Sequence, residues 1–289
     1  MSDKVQAFLS GETKLSAAAI AVFAAIWAFL IVQFQGPVFD AFFQDTGLYQ
    51  TLGVVWQQTI VTIVLFGLLI GMAFLWGWLG KHSVFPFGER APLTAASGLA
   101  AGVLGLLTAF GFVDLAGSVH GYPAQSPIGG IALATVLVLY QSAGEEIFFR
   151  GWIQPVLARG FGPWIAVAVT SVLFSLLHIL VGNTSPVSIL NTFLAGVFFG
   201  LLAWRTGGML APVLAHAGWN WAESTLLGLD PNPGRDPMGT VWNFDLTGSG
   251  LWGGSAEGMN ASLAVTFVLL ALIVPLALYR QPIPTAVPA

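Results

Sequence analysis

Cysteine is absent from the 289 residues. That excludes disulfides, a thiol nucleophile and thiolate metal sites, and it leaves the redox state of the compartment unreadable. Charge is scarce as well: Asp, Glu, Lys and Arg make up 8% of the chain, where a soluble globular domain carries about 25%. Only 9 residues are basic against 13 acidic, so a nucleic-acid surface is excluded. No repeat of fixed period runs through the chain, which lowers the case for an inverted-repeat transporter. No two of the four histidines, His82, His120, His178 and His216, stand at the His-x-x-x-His spacing of a zincin.

What is present is oil. Hydrophobic residues make up 56% of the sequence and the mean hydropathy is +0.83, so the solvent of this chain is mostly lipid. A membrane span needs about 20 predominantly apolar residues. Stretches 15–34, 54–79, 93–113, 127–158, 164–181, 187–204, 209–228 and 260–279 meet that pattern. The fourth exceeds the need and is expected to tilt, or to end in an amphipathic turn near Pro155 and Arg159. The first follows Asp3, Lys4, Glu12 and Lys14 and lacks a small-residue cleavage site, so it reads as a span and not as a signal peptide. Strand alternation is missing, and unpaired backbone is not tolerated in hydrocarbon, so the spans are helices. The fold class is therefore all-α, a polytopic membrane protein of about eight helices, one domain over 1–289.

Orientation follows from the basic residues. With both termini cytoplasmic, inner segments hold Lys4, Lys14, Lys81, Arg90, Arg159, Arg205 and Arg280, and outer segments only Arg235. Outer segments 35–53 and 114–126 carry Asp40, Asp45 and Asp114. The long loop 229–259, rich in Gly and Pro, carries Asp230, Asp236, Asp245 and Glu257; it is either a solvated coil or a lid folded back through Trp242 and Phe244. Gly98, Ala101 and Gly105 recur at helical spacing in the third span, a pattern of close helix packing within membranes.

Against this background three polar patterns stand out: Glu145-Glu146-x-x-x-Arg150, Phe174-x-x-x-His178 and His216-x-x-x-Asn220. A single charge at a bilayer centre costs at least roughly 2.5–3.5 kcal/mol, so each is a functional candidate by default. Adjacent glutamates on a helix point about 100° apart. Arg150 lies four residues after Glu146, the favourable order for a pair on one face; Glu145 is then free to face a cavity. Counted at about 1.5 Å per residue from the inner ends of their spans, Glu145 and His178 lie roughly 20 Å deep and His216 roughly 10 Å. The bland alternative is a folding clamp of both glutamates on Arg150, and two histidines at compatible depth weigh against it.

A glutamate with a histidine can hold and deprotonate a water, while an imidazole N–H and an amide can donate to a developing oxyanion. The rival chemistry is zinc held by His178, His216 and a glutamate. A carrier using the same groups as a proton relay, or a non-catalytic immunity scaffold, stays open. Glu223 and Asn191 are weaker candidates for cavity lining or cross-helix bonding. His82 and His120 receive no role.

The three patterns, in this order on successive spans, resemble the CAAX prenyl protease and bacteriocin-processing family of intramembrane endopeptidases. Gly200-Leu-Leu-Ala-Trp-Arg-Thr-Gly-Gly-Met-Leu-Ala-Pro-Val-Leu-Ala-His216 is similar to that family's approach to its third motif. The likeness covers about 127–228, the expected catalytic core. It implies that Glu145 and His178 activate water, that His216 and Asn220 form the oxyanion hole, and that Glu146, Arg150 and Phe174 support them. It further implies hydrolysis without metal or other cofactor, a membrane-tethered protein or peptide as substrate, prenylated or not, and a bacterial plasma membrane as the location.

Overall fold

The computed structural model describes residues 3–45, 51–229 and 238–279; Asp230, Arg235, Asp236 and Arg280 lie outside them. Six helices are long and apolar enough to cross a bilayer. A short helix α1 (Asp3–Leu9) precedes them. They are α2 (Lys14–Asp45), α3 (Val54–Gly80), α4 (Ala91–Leu115), α5 (Ile128–Phe161), α6 (Pro163–Leu180) and α7 (Pro186–Thr206). Two further helices fall on the seventh and eighth apolar stretches: α8 (Leu210–Asn220), continued by a π-helical turn Trp221–Leu226, and α9 (Leu263–Leu278). Both are shorter than the first six because each is bounded by polar or turn-forming sequence. Large apolar side chains such as Leu15, Trp78, Leu104 and Val136 point outward, as lipid-facing surfaces require. The chain is a multi-pass integral membrane protein.

Helix ends obey local chemistry. Proline opens α6 and α7, where a missing N–H costs nothing. Ser185 caps α7, its hydroxyl accepting from the Ser188 amide, and Gly207 closes it at φ 60°. Two boundaries differ from the sequence reading. The segment after residue 34 continues α2 through Pro37 to Asp45, because aromatic and apolar residues follow the proline and membrane helices tolerate the lost hydrogen bond. The all-α expectation also misses a two-stranded antiparallel sheet, β1 (Val119–Pro123) against β2 (Trp242–Leu246), in which Gly121 faces Phe244.

Two apolar clusters fill the bundle. One joins α4, α7, α8 and α9 around Leu106, Phe198, Trp219 and Leu269. The other joins α2, α3, α5 and α6 around Ile20, Phe66, Trp152 and Phe174. The glycine stripe on α4 decides where α8 lies. A Cβ on Gly98 would run into the Ala211 backbone, and one on Gly102 into the Ala215 carbonyl, the residue before His216. The obstacle is backbone and cannot swing aside. Gly102→Val therefore pushes α8 outward, at about 1–3 kcal/mol or more for overpacking, and should lower thermal stability in detergent. Gly111→Ala on the same helix, where a Cβ meets nothing within 4 Å, should be neutral; equal melting of the two variants would refute the contact.

Candidate active site

The π-helical turn Ile147–Ile153 interrupts α5 directly after Glu146, and a second one follows Asn220 on α8. Two of the three motif-bearing helices are thus re-wound beside the polar cluster, a common placement for π-bulges. Arg150 is buried, with one guanidinium nitrogen 3.2 Å from Glu146 Oε1 and another donating to the Gly196 carbonyl at 2.9 Å. One turn on, Gln154 donates to the Gly200 carbonyl at 3.0 Å. These two bonds tie α5 to α7 in register. The ring of Phe174 lies 4.7 Å from the guanidinium carbon, a cation–π contact that helps keep the charge in place.

Glu146 also accepts from His216, whose Nδ1 lies 2.9 Å from the same Oε1. Phe199 stacks on the His216 imidazole at 4.7 Å and 15°. The ring is therefore fixed on one side by a carboxylate and on its face by an aromatic. Its Nε2 points toward Glu145, 4.0 Å from Oε2, a gap too long for a direct bond and suited to a bridging water. His178 donates from Nδ1 to the Phe174 carbonyl at 2.8 Å. That bond assigns the tautomer and leaves Nε2 as an acceptor.

The structure brings all seven sequence-derived residues together. Glu146, Arg150 and Phe174 are buried and in contact with one another or with His216. Glu145, His178, His216 and Asn220 line a pocket of about 90 Å³. Glu145 and His178 also line a second, larger cavity of about 760 Å³ between α2, α3 and α5. Among the described residues, no three His, Asp or Glu side chains converge in a way that could hold a metal ion.

Three lining residues carried no strong sequence signal. Gln141, one turn before Glu145, donates to Glu145 Oε1 at 3.4 Å; its i,i+4 spacing was the available clue. Glu223 lines the small pocket with the catalytic candidates. Asn260 lines both cavities and stands just past the 229–259 loop, at the start of the eighth apolar stretch, where composition gives no hint. Asn191 bonds across helices, donating to the Asn260 and Ser262 carbonyls at 2.9 and 2.8 Å and accepting from Thr266.

The lid expectation needs correcting. Trp242 and Phe244 stack on each other at 5.6 Å, and Phe244 packs on Phe110 at 5.1 Å; neither lines the two cavities that Glu145 and His178 share. The ladder with β1 holds them away. The part of the loop that reaches the site is the 3-10 turn Gly258–Ala261, latched by Glu257. Its carboxylate accepts from the Ser185 amide at 2.9 Å, the Ser185 hydroxyl at 3.1 Å and Thr184 at 3.2 Å.

Burial pushes the Glu257 carboxyl up, but hydrogen bonds from Ser188, Ser185 and Thr184 outweigh it and leave the group below the usual range. A depressed carboxylate contributes stability above its unfolded value, about 4.3, and loses it as pH falls through the lower folded value. Amides 258–261 should therefore show high protection factors at neutral pH, after correction for the intrinsic exchange rate, and lose that protection in acid below that range. Glu257→Gln should exchange fast throughout; unchanged exchange in that variant would dismiss the latch.

No curated protein and no solved structure gives a match to this chain. Residues 127–222, the stretch that holds all seven site residues, match the family model described as Rce1-like type II CAAX prenyl endopeptidase.

Proposed function

We propose that the protein is a glutamate-type intramembrane endopeptidase that hydrolyses a peptide bond in a membrane-associated protein or peptide of a bacterial plasma membrane. The family supports a membrane peptide hydrolase. The observation that carries the finer reading is that Glu145 and His178 line both the large cavity and the small polar pocket. A substrate chain in the former would meet a water held in the latter.

In this reading Glu145 takes a proton from the water while the His178 Nε2 orients it. The hydroxide adds to the scissile carbonyl, and the carbonyl oxygen, now an oxyanion, turns toward the Asn220 amide and toward His216, whose Nε2 donates when the ring carries both protons while Nδ1–H stays on Glu146. Collapse of the tetrahedral species breaks the C–N bond, and Glu145 returns the proton to the leaving amine. Glu146 and Arg150 act only by holding His216. We further read α8 and α9 as the seventh and eighth spans of an N-in, C-in bundle whose catalytic core is 127–228.

The test compares peptide termini in membranes that hold equal amounts of wild type and Glu145→Gln. Termini generated only by the wild type give the substrate and the cleavage position together. A flux of solute into sealed vesicles, with matching termini, would move the assignment to a carrier.

A further inference from the structure

The larger cavity has a direction. Its floor is set by Ala28 of α2, Leu69 of α3 and Phe149 of α5. From Leu69 to the end of α3 at Gly80 the helix still runs roughly 16 Å. That end, with Lys81, Arg90, Lys14, Arg159 and Arg205 at neighbouring helix ends, is the basic face of the protein. None of these residues lines the cavity. Besides Glu145, His178 and the adjacent Gln141, its polar residues gather toward the opposite ends of these helices: Gln33, Gln35 and Asp40 in the second half of α2, Gln57, Gln58 and Thr62 in the first turns of α3, Asn183 after α6 and Asn260 before α9. The cavity is thus a chamber with an apolar floor at mid-membrane and a polar mouth on the face without lysine or arginine.

Basic residues mark the cytoplasmic side. We propose that substrate reaches Glu145 and His178 through this chamber from the non-cytoplasmic face, and that it is an extended peptide segment with an apolar run presented on that side. The proposal rests on the endopeptidase reading and adds the side and the chemistry of what is cleaved. Its volume, about 760 Å³, falls within the roughly 300–1,000 Å³ of ligand-binding clefts. An extended peptide needs partners for its backbone, and the side-chain amides of Gln35, Gln57 and Gln58 line the chamber, groups of the kind that bond a peptide N–H or C=O.

A cysteine-free chain makes the test direct. Single cysteines are placed at the mouth (Asp40→Cys), on the chamber wall (Thr62→Cys) and in the basic loop (Glu89→Cys), none of them in the catalytic machinery. Right-side-out vesicles are treated with a membrane-impermeant maleimide. The expected result is labelling at Asp40→Cys and Thr62→Cys, and at Glu89→Cys only in inverted vesicles. Labelling with the reverse sidedness overturns the direction of the chamber. A Thr62→Cys that reacts only after denaturation, whichever face is exposed, overturns its openness to water.

A bulky maleimide on Thr62→Cys should then abolish the termini that the unreacted variant produces. Their persistence would show that substrate takes another path. If the wild type makes none, the endopeptidase reading has failed, and the labelling pattern still reports the chamber separately.

Discussion

Glu145→Gln should lower peptide cleavage by about 10²–10⁴-fold, the usual worth of a general base or acid, without loss of folded protein. The two halves of that expectation have separate causes. Glu145 stands outside the Arg150 ion pair: it accepts from Gln141 at 3.4 Å and lies 4.0 Å from a His216 nitrogen. Replacing its carboxylate by an amide of the same shape removes a buried charge and leaves Arg150 with Glu146. Stability should hold or rise, while the group that accepts the water's proton is gone. His178→Ala should cost a similar factor, since it removes the Nε2 acceptor while its bond to the Phe174 carbonyl carries little of the fold. The check is cleavage rate and melting temperature on the same preparations. A Glu145→Gln protein that melts like the wild type and still cleaves at the wild-type rate would end the glutamate assignment.

Much of this site was legible because charge in an oily chain is conspicuous. Helical spacing alone separates Glu146 from Glu145, and in the structure Glu146 meets Arg150 and His216 while Glu145 faces both cavities. The glycine stripe on α4 gave the close contact with α8 through Gly98 and Gly105, though Gly102, at the tightest approach, was passed over for Ala101. The illegible parts depend on tertiary partners. Nothing in Val119–Pro123 announces pairing with a strand more than a hundred residues away. Asn260 reaches the pocket only because Glu257 finds Ser185 and Asn191 finds the Asn260 carbonyl. The π-helical turns after Glu146 and Asn220 are likewise invisible to hydropathy, because periodicity near 3.6 continues through them within the length of one turn.

Arg150→Met should be the most damaging single change, at about 3–5 kcal/mol, because removing one partner of a buried pair leaves the other charge uncompensated. Arg150 and Glu146 side chains are both fully buried, so water cannot enter to solvate the stranded carboxylate. The loss spreads beyond the pair. The bond to the Gly196 carbonyl goes with the guanidinium, as does the contact with Phe174, so α5, α6 and α7 each lose an anchor beside the site. Membrane yield and melting temperature should both fall. Replacing both partners distinguishes a stranded charge from lost packing. In Glu146→Gln/Arg150→Met the amide oxygen still accepts from His216 Nδ1, and no unpaired charge remains. If the stranded charge dominates, the double variant is more stable than Arg150→Met alone, and a double-mutant cycle gives a coupling of the same sign. A double variant no better than the single one would assign the cost to the packing of the guanidinium between Phe174 and the α7 backbone. In either case the folded double variant should cleave slowly, since His216 would then be held by a neutral group with no arginine behind it.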